Sequence, residues 1–163
     1  LAEAKLFIKR DGDRYQGGGM TPRKDSAFVG TSMRFLNYSL TVSRDLHGRS
    51  KSWTTQFNYG KMFLLTEKFF LLTNFGLDWF DDHYAEYSYG VRKYEKTSTR
   101  REYHLNNYLQ PSVGVLPVYK LTETSSLMGA LSVKLVAKEV RESPTMNGDK
   151  LEIGGLFGYS YNF

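Results

Sequence analysis

Cysteine is absent from this chain of 163 residues, and proline and histidine are scarce, with four and three copies. The absence of cysteine excludes disulfides and thiolate metal sites. No apolar run approaches the ~18–20 residues that a membrane-spanning helix needs, so a helical membrane protein is excluded. No signal peptide is recognisable, because Leu1 already lies in a strand-like pattern, and we expect the chain to be a piece of a longer protein.

The positive charge of the chain is diffuse. The formal net charge is +5, yet lysine and arginine are scattered through candidate turns and loops, with one short cluster at Arg100-Arg101. Neither a basic helix nor an aromatic RNA-binding motif is present, so we expect no nucleic-acid partner. A basic balance is also compatible with anionic lipid or lipopolysaccharide.

Aromatic residues are abundant, with twelve Tyr and eleven Phe beside fifteen Gly. Although 40% of the residues are apolar, the mean hydropathy is −0.46. A transmembrane β-barrel accounts for both values, because half of each strand faces a polar lumen and dilutes the average.

The last segment of the chain shows the strongest alternation. Every odd position from Leu151 to Phe163 is apolar, aromatic or Gly, and every even position except Leu156 is small or polar. This pattern predicts a strand with one apolar and one wet face, as in an outer-membrane barrel. We expect the terminal Phe163 to be the assembly signal that the barrel-assembly machinery reads in this strand.

Similar alternation predicts seven strands in all. Their ranges are residues 4–8, 33–44, 52–63, 68–80, 103–119, 126–136 and 151–163. Most have the ~9–11 residues that a tilted strand needs to cross a bilayer. Pro111 and Pro117 conflict with one of them, because proline cannot donate to a ladder, and they suggest a bulge or a strand end near Pro117.

The predicted connections alternate in length. Residues 64–67 and 121–125 form tight turns, whereas residues 81–102 and 137–149 are long and charged. Outer-membrane barrels have short periplasmic turns and long outer loops, and counting back from a periplasmic Phe163 keeps both tight turns periplasmic. The same count makes residues 11–31, the loop-like stretch from Asp11 to Thr31, an unusually long periplasmic connection.

These features predict an all-β fold, an antiparallel transmembrane β-barrel of outer-membrane type, with residues 1–163 as a single domain. Bacterial barrels use an even number of strands and cannot leave an open edge in lipid. We therefore expect that at least one strand is missed by this count, or that N-terminal strands of the barrel lie before Leu1, or that the barrel closes by some other pairing. A soluble β-sandwich or lipocalin-like barrel is the structural alternative.

The alternation also assigns side chains to the two sides of the barrel. Six polar residues are predicted to line the lumen: Asn58, Asn74, Asp78, Gln110, Lys134 and Glu152. Five apolar residues are predicted to point inward with them and favour a filled interior over a pore: Phe35, Phe70, Leu72, Met128 and Leu156. Six aromatic residues near strand ends are predicted to form the interfacial girdle: Trp53, Tyr59, Trp79, Tyr119, Tyr159 and Tyr161.

No catalytic, cofactor or metal site is predicted. Asp81-Asp82-His83 resembles the Asp and His groups that activate water at a barrel rim, but a second Asp/His pair is not evident. His104 and Ser112 lie ~26 Å apart along one predicted strand, too far for a hydrogen bond. The three scattered histidines offer no zinc spacing, and Gly17-Gly18-Gly19 lacks the Lys-Ser or Lys-Thr of a P-loop.

Several motifs together resemble the MipA/OmpV family of outer-membrane proteins. Five elements follow in the family's order: Leu65-Thr66-Glu67-Lys68-Phe69, Tyr87-Ser88-Tyr89-Gly90-Val91, Val118-Tyr119-Lys120-Leu121-Thr122, Glu142-Ser143-Pro144, and the closing segment from Gly155 to Phe163. The second resembles the family's YYGV signature, with Ser88 inserted, and the match covers roughly residues 31–163.

The resemblance implies location and partners. It implies a barrel in the bacterial outer membrane, in contact with lipid and lipopolysaccharide, that is not an enzyme. It further implies a scaffold that joins a lytic murein transglycosylase to a penicillin-binding protein. A small channel, an adhesin-like barrel and an outer-membrane hydrolase are the alternatives. Apart from the resemblance, five outer-loop cations are suited either to lipopolysaccharide phosphates or, equally, to plain solvation: Arg92, Lys93, Lys96, Arg100 and Arg101.

Overall fold

A computed structural model describes the backbone of residues 2–11, 19–24, 26–146 and 148–161, and the side chains of these residues from 19 onward. Eight strands form one antiparallel sheet in which each strand pairs with its neighbour in sequence. The strands are β1 (Ala2–Asp11), β2 (Ser26–Phe35), β3 (Tyr38–Asp45), β4 (Trp53–Leu64), β5 (Phe69–Phe80), β6 (Tyr108–Lys120), β7 (Ser125–Leu135) and β8 (Leu151–Tyr161).

Helices are few and short. Helix α1 (Asp82–Tyr89) and a 3₁₀ turn (Lys93–Glu95) lie between β5 and β6, and helix α2 (Lys138–Arg141) lies between β7 and β8. Within the described residues, no helix has the length and apolar character needed to span a membrane. The predicted all-β antiparallel class is confirmed. In the described part of the chain β1 and β8 do not pair, so they are the two edges of the sheet.

One predicted strand is in fact a hairpin. The prediction of a single strand over residues 33–44 is wrong, because β2 ends at Phe35 and β3 begins at Tyr38. The two-residue turn places Leu36 at φ = +51°, a value that two-residue hairpin loops require and that residues other than glycine seldom adopt. The count of seven strands was therefore one short.

The β2–β3 hairpin reverses the end of the sheet that the sequence predicts for the connection between β1 and β2. Ser26 to Thr31 belong to β2, so the loop-like stretch predicted from Asp11 to Thr31 is too long. The described part of the connection between β1 and β2, residues 19–24, lies at the same end of the sheet as residues 46–52, 81–107 and 136–146. We call this the loop end. The short connections, residues 36–37, 65–68 and 121–124, all lie at the opposite, turn end.

Two further strand predictions need correction. Strand β6 begins at Tyr108 rather than at residue 103, so His104 lies in a loop. It also continues to Lys120 through both Pro111 and Pro117, and its register with β5 is unbroken. The β6–β7 register skips residues 116 and 117, where Pro117 lacks the N–H group that a ladder bond needs.

The register brings most of the apolar strand positions to one face of the sheet. Across five strands one row of Cα partners joins Tyr38, Tyr59, Phe75, Val113 and Val133. The row that joins Ser39, Asn58, Gly76, Ser112 and Lys134 lies on the other face. We call these the apolar face and the polar face. Phe35 pairs with Tyr38 on the apolar face, so its predicted inward orientation is wrong.

Candidate functional site

The buried core of the described residues lies at the loop end. Its members come from α1, from the loop before β6, from the start of β6 and from the β7–β8 connection: Ala85, Leu105, Tyr108, Val136 and Val140. Most strand residues, by contrast, are half-buried or exposed on both faces. The long connections therefore form a packed unit of their own, which we call the loop cap.

Helix α1 holds the loop cap on the polar face. Asp81 starts the helix, because its Oδ1 accepts from the Tyr84 N–H at 2.8 Å, the usual role of an N-cap carboxylate. The Tyr84 ring then stacks on Phe80 with centroids 4.7 Å apart, and Phe80 stacks on Tyr108 at 4.9 Å. Phe80 and Tyr108 are register partners on the polar face. The helix thus covers that face at its loop end.

Two of the sequence motifs meet inside the loop cap. Tyr87-Ser88-Tyr89-Gly90-Val91 ends α1, and Val91 is fully buried and pairs with Tyr103. The other motif is Glu142-Ser143-Pro144, and its Ser143 hydroxyl donates a hydrogen bond to the Tyr89 carbonyl at 2.6 Å. Gly90 has no room for a side chain, because a Cβ there would lie 2.6 Å from the Glu86 carbonyl oxygen. These motifs serve loop packing.

A buried ion pair joins the β1–β2 connection to the longest loop. The Arg23 guanidinium donates to both carboxylate oxygens of Glu95, at 2.9 and 3.0 Å, and also to the Gly90 carbonyl at 3.2 Å. Both side chains are at most 2% exposed. Glu95 also accepts from the backbone N–H groups of Thr21 and Arg92, at 3.1 and 2.9 Å. The prediction from sequence had missed this pair.

The electrostatics of Glu95 follow from these contacts. Burial raises the pKa of its carboxyl, but the hydrogen bonds from Arg23 and from the Arg92 and Thr21 backbone outweigh burial and hold that pKa at about 2. The carboxylate is therefore ionised over the whole neutral and mildly acidic range. A bidentate Arg–carboxylate pair of this kind is among the stronger polar contacts in proteins.

The side chains of Asp81, Asp82 and His83 make hydrogen bonds that stabilise the local structure. Both oxygens of Asp81 are occupied, Oδ1 by the Tyr84 N–H and Oδ2 by the Trp53 N–H at 2.7 Å. Asp82 and His83 pair with each other at 2.9 Å on the exposed surface. The three side chains lie close enough together to hold a metal ion, but the caps at Asp81 account for its orientation.

His104 lies in the loop cap and bonds two carboxylates. Its Nδ1 contacts Glu86 of α1, and its Nε2 contacts Glu102 at 3.1 Å. The hydrogen bond to Glu86, followed by that to Glu102, raises the pKa of the imidazole. An open groove of about 500 Å³ runs past His104, His83 and Arg49. His104 lies in the loop before β6, whereas Ser112 lies within β6 on the polar face, so the structure places the two residues in different parts of the fold.

The predicted lumen residues share one face. The register places all six on the polar face: Asn58, Asn74, Asp78, Gln110, Lys134 and Glu152. The Cα atoms of Lys134 and Glu152 are direct partners. Their role in a lumen stays a prediction, since the sheet is open between β1 and β8 in the described residues.

The predicted girdle lies on the apolar face in two groups. Trp53 and Trp79 lie toward the loop end, and Tyr119, Tyr159 and Tyr161 lie at the turn end. The sixth member, Tyr59, packs against Tyr38 with ring centroids 5.0 Å apart. Contact with the bilayer interface stays a prediction. Phe163, the predicted assembly signal, lies outside the described residues.

The outer-loop cations divide into engaged and exposed groups. Arg92 donates to the Tyr94 hydroxyl at 2.6 Å, and Arg100 donates to the Glu95 carbonyl. The Arg101 guanidinium lies 5.6 Å from the Tyr103 ring centroid. Lys93 and Lys96 are exposed. Lipopolysaccharide binding by this group stays a prediction.

Two turns at the turn end are copies of each other. Both turns have the sequence Leu-Thr-Glu, at residues 65–67 and 121–123. In the first turn the Leu65 and Thr66 N–H groups both donate to the Phe69 carbonyl. In the second turn the Leu121 and Thr122 N–H groups both donate to the Ser125 carbonyl. The Thr66 and Thr122 hydroxyls accept from those same residues' N–H groups, both at 3.0 Å. The side chains of Leu65 and Leu121 are 53% and 42% exposed, and Leu36 of the third turn is 67% exposed.

Comparison with known proteins gives a family and one relative. The sequence pattern of the family described as "MltA-interacting protein MipA" matches residues 1–163. The "24 kDa outer membrane protein" of Pasteurella multocida (strain Pm70) is 22% identical over 124 residues, which is 75% of this chain and 48% of the relative. The chain thus spans about half the length of the curated relative that it matches. No solved structure matches the chain.

Proposed function

Because this chain belongs to the MltA-interacting protein MipA family and is a bacterial outer-membrane protein, we propose that it is a non-enzymatic scaffold of the envelope. Its partner would be a murein enzyme of the lytic transglycosylase class, as the family description indicates. A penicillin-binding protein would be the second partner. The single observation that carries the proposal is the set of exposed leucines on the three short turns.

The turn end has the chemistry of a protein-docking surface. Leu36, Leu65 and Leu121 each place an exposed apolar side chain at the tip of a short, hydrogen-bonded turn. Glu67 and Glu123 add one carboxylate to each repeated turn. Rigid turns lose little conformational entropy on binding, so apolar side chains on them make efficient anchors. Short turns face the periplasm in outer-membrane barrels, where murein enzymes act on the cell wall.

The strained turn at Leu36 supports the same surface. A leucine at φ = +51° carries a conformational strain that glycine or asparagine would avoid. In the described residues, no buried contact accounts for a leucine there, because the side chain is exposed. Strain that the fold does not need points to a role outside the fold.

The alternatives have less support. A channel needs an open path along the polar face, but α1 stacks its Tyr84 over Phe80 at the loop end of that face. A hydrolase needs a free general base, but both oxygens of Asp81 accept backbone hydrogen bonds, and His104 is held between Glu86 and Glu102.

A binding experiment tests the scaffold. The full-length protein, reconstituted in lipid discs, is assayed against a purified lytic transglycosylase with Leu65→Ser and Leu121→Ser introduced together. We expect affinity to fall by about tenfold, as for a truncated anchor at an interface. Leu46→Ser is the matched control, because Leu46 is 56% exposed but lies at the loop end. Equal losses in both variants, or no binding by the native protein, would refute the docking surface.

A further inference from the structure

The polar face changes its character along the strands. In its loop half, polar and charged side chains lie beside Phe80 and Tyr108. Its turn half carries an apolar zone of eight side chains: Met62, Leu64, Phe70, Leu72, Leu116, Val118, Met128 and Leu156. Met62, Leu72 and Leu156 are 62%, 40% and 63% exposed. Apolar area on the face opposite to lipid is stabilised only when something apolar covers it.

A groove borders this zone. It forms because β3 stops pairing with β4 at Tyr59, whereas β4 continues to Leu64 and leaves a step in the sheet. The groove has a volume of about 360 Å³ and is lined by Arg34, Asn58, Asn74, Met62 and Leu72 among others. This volume lies at the lower end of the ~300–1,000 Å³ typical of small-molecule pockets.

The charged residues that line the groove in the described part of the chain, Arg34 and Lys61, are both basic. Arg34 lies on the polar face, where its Cα is the partner of Ser39, another lining residue. None of the described lining residues is acidic, and the side-chain amides of Asn58 and Asn74 offer further donors. The nearest acidic position in the register is Glu3, whose Cα is the partner of Arg34 on β1.

The dimensions favour a linear apolar occupant. One row of the apolar zone runs from Met62 through Leu72 to Leu156 and crosses from β4 to β8. Four strand spacings make this row about 19 Å long, which suits an extended acyl chain. The groove at one end of the row offers Arg34 and the amides of Asn58 and Asn74, and the rest of the row offers apolar side chains. This arrangement matches a molecule with a charged head and an apolar tail.

We propose that this groove binds an anionic amphiphile with a single acyl chain, its headgroup beside Arg34 and its chain along the apolar zone. A fatty-acid carboxylate and a lysophospholipid phosphate share this chemistry. The site lies at the turn end of the polar face, where Leu36 and Asn37 of the β2–β3 turn also line it, and it lies apart from the loop cap.

Binding of two probes tests the site. The full-length protein in discs of uncharged lipid is titrated with oleate and with oleyl alcohol, and binding to empty discs is subtracted. We expect saturable binding of oleate and affinity at least about fivefold lower for the alcohol, because a charge-assisted hydrogen bond is lost. Lysophosphatidylglycerol in a third titration distinguishes the phosphate source from the carboxylate source.

Matched variants locate the site. Met62→Gln is compared with Met33→Gln, because both methionines are 62% exposed but Met33 lies on the apolar face beside Leu40. Arg34→Gln is compared with Arg44→Gln, which lies on the apolar face beside Trp53. We expect Met62→Gln to weaken oleate binding at least about fivefold and Arg34→Gln to abolish the preference for oleate over the alcohol, with no change in either control.

Several results would overturn the proposal. They are absence of binding above empty discs, equal affinity for oleate and oleyl alcohol in the native protein, and equal effects of Met62→Gln and Met33→Gln. Heat-modifiable mobility on gels checks that each variant is folded. Leu156→Gln at the far end of the same row replaces Met62→Gln if the latter does not fold.

Discussion

At the scale of single residues, the buried pair of Arg23 and Glu95 joins the β1–β2 connection to the longest loop. It brings together residues 72 positions apart in sequence and is hydrogen-bonded at both ends. Removing one partner of such a pair leaves a buried charge uncompensated, which is more damaging than losing an exposed pair. The neighbouring His104–Glu102 pair is exposed and offers a direct comparison.

We predict that Glu95→Gln lowers the free energy of unfolding by about 3–5 kcal/mol, because Arg23 keeps its charge in a buried site. Glu102→Gln is the control and should change it by less than about 1 kcal/mol. Urea titration of the protein in lipid vesicles measures both. Equal shifts in the two variants would show that the buried pair carries no special weight.

The pH dependence of the loop cap follows from the pKa of Glu95. The folded-state pKa is about 2, below the ordinary value of 4.5, so the carboxylate stabilises the folded state. This stabilisation is complete above pH 4.5 and is lost as pH falls from 4.5 towards 2. We predict that proteolysis of residues 81–107 accelerates over that window in the native protein and not in Glu95→Gln. A native loop that resists protease equally at the two ends of the window would contradict this.

At the scale of elements, the hairpin of β2 and β3 shows where alternation fails as a predictor. The sequence around Leu36-Asn37 contains no glycine and no proline, so Asn37 alone is a weak turn signal between two apolar stretches. A two-residue turn also conserves an almost regular pattern of apolar positions on both sides. Only the pairing of Phe35 with Tyr38 distinguishes the hairpin from a continuous strand.

We predict that Leu36→Asn raises the free energy of unfolding by about 0.5–1 kcal/mol, because asparagine tolerates positive φ better than leucine. Leu65→Asn is the control, since Leu65 is similarly exposed but is not at positive φ. Urea titration measures both variants. If the free energy of unfolding also rises in Leu65→Asn, the stabilisation comes from the loss of an exposed apolar side chain and not from relief of strain at Leu36.

The repeated turns were more accessible to prediction. Both were expected as tight turns, and both are closed by a threonine that bonds its own turn. Threonine has this capacity whatever the surrounding fold, because its hydroxyl reaches backbone groups two or three residues away. The elements at the loop end are harder to predict. For helix α1, the N-cap residue Asp81 is the one local sequence signal of its start.

At the scale of the whole molecule, the extra hairpin changes the side on which one connection lies. With eight strands, the described residues 19–24 of the β1–β2 connection share the loop end with the other three long connections, and all three short turns share the opposite end. This arrangement removes the unusually long periplasmic connection that seven strands required. It agrees better with the general asymmetry of outer-membrane barrels.

Cysteine labelling in intact cells tests this sidedness, and the absence of native cysteine gives a clean background. We predict that a membrane-impermeant maleimide labels Lys24→Cys and Ser98→Cys but not Glu123→Cys, because the first two lie at the loop end and the third at the turn end. Permeabilised cells should label all three. Protection of Lys24→Cys beside a labelled Ser98→Cys would place Lys24 on the periplasmic side and contradict this arrangement.

The sequence by itself determined the strand class and the face on which most strand side chains lie, because these depend on a two-residue period that is readable locally. It also located the repeated turns. Only the tertiary structure decided that the long loops pack into a cap, that Arg23 meets Glu95, and that a groove opens beside the apolar zone. Those features come from contacts between segments far apart in the chain, and no local pattern of residues encodes which distant segments will meet.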